Sequence, residues 1–110
     1  MAVKQSENFI AIPPGKSIKE IMERREIPFN LMAEQLNLTG HDFYDLLEGD
    51  FPLTEKIADG LQYIFGGSST FWINSEKRYR EDLKKVNEEN NSLHYEMIPD
   101  QTNAFVLETA

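Results

Sequence analysis

Apolar positions recur at helical spacing along most of the chain, and the polar breaks between them predict five helices. Ile18, Ile21 and Met22 mark the first, ending near Arg25; Ser17 is its N-cap candidate and Glu20 stands three residues on, as in a capping box. Pro13-Pro14-Gly15 reads as a break that delays this helix to Lys16. Pro28 permits a second helix from its first turn, with Leu31, Met32 and Leu36 as its buried stripe around the small Ala33 and Asn37 as its left-handed stop. Thr39 caps a third, whose apolar face is Phe43, Leu46 and Leu47 and whose end is Gly49. Thr54 caps a fourth through Ile57, Ala58, Leu61, Ile64 and Phe65, stopped by Gly66-Gly67. A fifth opens at Ser69 or Thr70 with Phe71, Trp72 and Ile73, then thins to Tyr79, Leu83 and Val86 before residues 87–92 lose the period.

The flanks carry less pattern. Residues 1–15 read as an N-terminal arm, 16–90 as the helical domain with an extended fifth helix, and 91–110 as a tail. In the tail, Leu93 to Ile98 and Ala104 to Leu107 are short apolar runs of strand propensity, able to pair with each other or with a partner's sheet edge. A chain of 110 residues, 40% hydrophobic, suffices for one core. With no cysteine there is no disulfide framework and no thiolate metal site, which fits a reducing cytoplasm; no run is long and apolar enough for a membrane span, and the start lacks a signal-peptide pattern.

Helices two and three, joined by a short turn, have the outline of a helix-turn-helix. Its third helix, however, carries Asp42, Asp45 and Glu48 and no Lys or Arg, in a chain of net charge −8. Such a field repels a polyanion at long range, whereas nucleic-acid binders usually present a basic face. The cations lie instead on the fifth helix, where Lys77, Arg78, Arg80, Lys84 and Lys85 alternate with Glu81 and Asp82. That arrangement is either a solvated face with i, i+4 pairs such as Glu81 with Lys85, or a strip that docks an acidic protein or a second copy.

No catalytic constellation emerges. His41 and His94 lie in different segments without paired metal-ligand spacing, and Ser68-Ser69 after two glycines reads as a helix cap, since no phosphate-loop lysine follows. No enzyme activity, metal or cofactor is expected. Phe65, Phe71 and Trp72 around the Gly66-Gly67 break suit a lock between helices four and five. Phe51, beside Asp50 and Pro52 after helix three, is less securely internal and with Tyr44 forms a candidate aromatic patch for a protein partner.

The stretch Ile12-Pro13-Pro14-Gly15-Lys16-Ser17-Ile18-Lys19-Glu20, the helix-turn-helix, Gly49 with Pro52 and Thr54 after it, and Phe71-Trp72-Ile73-Asn74 together resemble the HigA-type antitoxins among the Cro/C1 (XRE-like) repressors. The match runs from about Ile12 to Tyr79. It implies an all-α, five-helix lambda-repressor-like fold, a homodimer, binding to operator DNA with repression of its own operon, and neutralisation of an mRNA-cleaving HigB-like toxin. On this resemblance Thr39, Gly40, His41, Tyr44 and Asp45 occupy the edge that would face the major groove, where the family commonly has Ser, Lys, Thr and Arg. Phe29 stands where a Gln often holds a phosphate or a base, Asn37 replaces the usual turn glycine, and Asp50-Phe51 replace a Lys-Arg pair. Partner-binding candidates are Phe51, Lys77, Arg78, Arg80, Lys84 and Lys85. The alternative is a helix-turn-helix that no longer reads DNA specifically and uses its acidic third helix to dock a protein.

Overall fold

The computed structural model describes residues 3–97, with side chains to residue 91. Five helices form in the expected order: α1 (Pro14–Arg25), α2 (Phe29–Gln35), α3 (Gly40–Glu48), α4 (Glu55–Phe65) and α5 (Ser69–Met97). A two-stranded antiparallel hairpin, β1 (Lys4–Gln5) with β2 (Ile10–Ala11), precedes them and pairs Lys4 with Ala11 and Gln5 with Ile10.

The helix ends follow local chemistry. The Thr39 hydroxyl accepts from the Asp42 N–H and the Thr54 hydroxyl from the Ile57 N–H, each satisfying a donor the first turn leaves orphaned. Asn37 (φ 60°) and Gly49 (φ 86°) take the left-handed conformation that ends α2 and α3. At α1 the expectation fails. The helix starts at Pro14, with Pro13 as N-cap, and Ser17 lies inside it, so no Ser17/Glu20 capping box forms. The first turn needs no N–H from its opening residue, so proline there is favourable rather than forbidding. Glu20 instead accepts from Lys16 Nζ at 2.7 Å.

Ile18, Met32, Leu36, Phe43, Leu46, Ile57, Leu61 and Trp72 make one core shared by all five helices. Leu31 and Phe71, expected inside, are outside, 44% and 56% exposed. A short α2 buries only the narrow stripe of Met32, Ala33 and Leu36, and at the start of α5 it is Trp72 that enters the core, its ring centroid 6.2 Å from that of Phe65.

A second, smaller cluster joins Ala11, Tyr79 and Val86, with Leu83 against it. The segment read as an arm is therefore a hairpin seated on α5. Its turn is held by Glu89, which accepts from the Ser6 hydroxyl, the Asn8 N–H at 2.8 Å and the Asn8 side-chain amide at 2.6 Å. The helix also runs on past the point where periodicity fades, and residues 93–97 of the expected strand are helical. Polar residues in 87–92 are compatible with helix whenever only one face needs a neighbour, which hydropathy alone does not reveal. The run Ala104 to Leu107 lies outside the described residues.

The Ser6 hydroxyl, then the Asn8 N–H, holds the Glu89 carboxyl below the usual carboxylate range. A lowered carboxyl pKa makes this contribution fully present above the unfolded carboxylate range and lost as pH falls through the folded value. Glu89→Gln is therefore expected to speed amide exchange across residues 4–11 at neutral pH, and the difference from the parent should shrink as the medium is acidified. Unchanged exchange in the hairpin would show that packing on Ala11 alone seats it.

Candidate functional site

The α2–turn–α3 unit presents one edge outward. Thr39, Gly40 and His41 open α3 at the surface, and Tyr44, one turn on, is 57% exposed. Asp45 follows His41 by four residues and half-buries its side chain beside it, with His41 Nδ1 at 3.2 Å from the carboxylate. The five residues proposed as the groove-facing edge are thus adjacent on one helical edge. Asp42 is also near His41, at 3.9 Å, so that His41, Asp42 and Asp45 each offer a ligand atom within 4.8 Å of the others. Sequence spacing had not suggested that grouping. Its members remain in reach of water.

Not every acid here needs a partner to explain it. Asp42 lies in the first turn of α3, where a carboxylate interacts favourably with the helix dipole. Asp50, just after the helix, pairs with Lys4 of the hairpin at 3.4 Å on the surface. No helical-start argument covers Asp45 or Glu48, which lie one helical turn apart on the same face.

Phe29 takes up the place at the head of α2 with apolar bulk. Its ring lies 4.9 Å from that of Phe43, tilted by 53°, and it remains 36% exposed. Phe43 anchors α3 in the core, so Phe29 braces the entry of α3 but offers no amide to a phosphate.

The partner-binding candidates fall into two groups. Lys77, Arg78, Lys84 and Lys85 are exposed along α5, and Lys85 Nζ lies 5.9 Å from the centre of the Phe9 ring. Phe51 and Arg80 are tied to the fold. Phe51 packs in part against the core, and its carbonyl accepts from Arg80 at 3.4 Å. Arg80 Nε also donates to Glu76 at 2.9 Å, and the same Glu76 oxygen accepts the Leu53 N–H at 3.1 Å. Glu76 thereby fastens the loop after α3 to α5. It was not singled out from the sequence, although its spacing of four from Arg80 was visible there.

No protein-family model matches the sequence, and a search of the curated proteins finds no match. Solved structures do match. A candidate antidote protein of a plasmid maintenance system from Nostoc punctiforme aligns with a TM-score of 0.63 at 23% identity, over 84% of this chain and 98% of that one. An addiction-module antidote protein of a HigA family from Coxiella burnetii gives 0.59 at 20% identity, over 86% and 98%. The antitoxin HigA of Pseudomonas aeruginosa, solved with the higBA promoter, gives 0.59 at 18% identity, over 87% and 99%. The fold is that of these antidote proteins. It agrees with the resemblance carried by Ile12 to Tyr79, and it extends further, since the antidote fold accounts for nearly the whole of each of those chains. Among the described residues no helix is long and apolar enough to cross a membrane.

Proposed function

We propose that this protein is an antitoxin-type transcriptional regulator that acts as a homodimer in the cytoplasm, contacts operator DNA with the Thr39–Asp45 edge of α3, and holds a HigB-like toxin. The observation that carries the reading is a helix-turn-helix whose third helix is capped, braced and outward-facing within an antidote fold. What such an edge offers a duplex is neutral donors: the N–H groups opening α3, the Tyr44 hydroxyl and the His41 ring. Each neutralised phosphate adds about 0.9 to the salt slope, so an edge without Lys or Arg binds with a shallow salt dependence.

The acids set the test. Asp42→Asn with Asp45→Asn removes two charges that repel phosphates, and is expected to raise affinity for duplex DNA about three- to tenfold at low salt and to steepen the salt slope. Fluorescence anisotropy on the chain's own upstream DNA and on a scrambled duplex measures both. Equal affinity of the parent for the two duplexes removes the operator, and no response to the double substitution removes α3 as the contact. Co-purification with the product of an adjacent reading frame tests the toxin.

Asp45 and Glu48, with no explanation in the helix start, favour a second reading in which α3 docks a basic protein surface and reads no operator. On that reading the two substitutions weaken the protein complex and leave DNA affinity unchanged.

A further inference from the structure

At the start of α3 an imidazole and two carboxylates converge with no basic side chain among them. His41 Nδ1 lies 3.2 Å from an Asp45 oxygen and 3.9 Å from an Asp42 oxygen, and the three donor atoms all lie within 4.8 Å of one another. Zinc holds imidazole nitrogen and carboxylate oxygen at about 2.0–2.2 Å, so two atoms bound to one ion stand roughly 3.0–4.4 Å apart. Both distances from Nδ1 fall inside that span, and the two carboxylates reach it by at most a small rotation of side chains that are only part-buried. A second observation, independent of these distances, also calls for a cation. From Thr39 to Glu48 the outward edge of an antidote fold carries no Lys or Arg, and among the described residues neither Asp42 nor Asp45 pairs with one from elsewhere.

We infer that His41, Asp42 and Asp45 bind one divalent transition-metal ion, and that the ion supplies the positive charge this edge lacks. The site stands on its own geometry, whereas its role at DNA rests on the operator reading proposed above. A donor set of one imidazole and two carboxylates suits zinc and its first-row neighbours; calcium and magnesium prefer oxygen throughout. The positive end of α3 opposes the ion with about half an elementary charge, against two full negative charges in contact with it. Binding turns the edge from two uncompensated carboxylates into a neutral one. The His41 side chain is 83% exposed, so the ion is open toward water and keeps a fourth position that a phosphate oxygen can take. The acids of α3 then serve DNA binding through the metal and oppose it only in its absence.

The test titrates zinc chloride into the full chain by calorimetry, in a buffer that does not hold metal. The parent is expected to take up zinc at micromolar concentration, and His41→Ala and Asp45→Asn should each lower that affinity at least about tenfold. Both variants should keep the parent's helical circular dichroism, since neither side chain belongs to the core. Glu48→Gln removes an equal charge one turn further along and should change zinc affinity by less than about twofold, because an exposed charge that does not ligate is screened. Imidazole nitrogen spectra add a readout that diffuse attraction would not move: zinc should shift Nδ1 of His41 and fix its proton on Nε2. Equal affinity in the parent, His41→Ala and Asp45→Asn overturns the site, and so does a loss in Glu48→Gln as large as that in Asp45→Asn. Anisotropy on duplex DNA then separates the site from the operator reading. With zinc in place of EDTA the parent should gain about three- to tenfold in affinity for its upstream duplex, and the Asp42→Asn/Asp45→Asn double variant should gain nothing. Zinc held by the three residues without any gain on DNA overturns the ion's role at a duplex and speaks against α3 as the DNA contact, while the metal site stands.

Discussion

Gly15→Ala is expected to unfold or severely destabilise the protein, by about 3 kcal/mol or more. In the first turn of α1 a Cβ at this position would lie inside the backbone of Leu47, overlapping its carbonyl oxygen, Cα and carbonyl carbon. Neither side can yield easily. Leu47 is a buried residue in the last turn of α3, packed in the core, and α1 is anchored there by Pro13 and Ile18, both buried. Alanine is favoured over glycine in a helix by about 1 kcal/mol, so intrinsic propensity predicts the opposite sign and the clash must win for the variant to lose stability. Gly40→Ala is the control: its Cβ would meet only the Phe29 ring, at 3.7 Å, an ordinary contact, and its stability should be unchanged or higher. For a domain of this size the loss at Gly15 corresponds to a fall in Tm of about 12–24 °C. Thermal unfolding of the two variants side by side measures the difference, and a Gly15→Ala variant melting with the parent would mean that α1 and α3 do not approach through this glycine.

That same glycine shows where the sequence was legible and where it was not. Read alone, Pro13-Pro14-Gly15 is a break, because the usual meaning of Pro-Gly is a turn. In the fold it is a helix start and a contact surface, and the reason is tertiary: only glycine lets α1 meet α3 at backbone distance. The caps Thr39 and Thr54 and the stops Asn37 and Gly49 were readable, because each acts within a few residues of itself. The hairpin was not, since two-residue strands leave no period, and what seats them is a buried Ala11 on α5 and the distant Glu89. Leu31 and Phe71 match helical spacing as well as Met32 and Trp72 do, and only the packing of α2 and α5 decides which of them is covered. At the candidate site, the order Thr39, Gly40, His41, Tyr44, Asp45 already placed these groups on one edge. The proximity of His41 to both Asp42 and Asp45, and the bracing of α3 by Phe29, required coordinates.

Glu76→Ala is expected to cost about 2–3 kcal/mol. The carboxylate is mostly covered, with 14% of its side chain exposed, and one of its oxygens serves both the Leu53 N–H and Arg80 Nε. Hydrogen bonds to an ionised group contribute more than neutral ones, and deleting the acceptor leaves a part-buried N–H without a partner and a guanidinium without its counter-charge. Arg80→Ala should cost less, about 1 kcal/mol, because Arg80 is 39% exposed and water replaces part of what it loses. The two losses should not add: once Glu76 is gone, Arg80 keeps its contacts with the Phe51 carbonyl and the Tyr79 ring but loses its counter-charge, so the double variant should fall short of the sum by about 1 kcal/mol. Denaturant unfolding of the four proteins yields that coupling. The outcome also separates two roles for Arg80, which by sequence belonged with the partner-binding cations of α5. A residue kept only for a partner would leave the unfolding midpoint unmoved when removed, whereas one that ties the loop after α3 to α5 lowers it and speeds amide exchange from Asp50 to Leu53. If both effects appear, the position of the end of α3 depends on α5, and a molecule that grips α5 acts on the same loop that leaves the helix proposed to meet DNA.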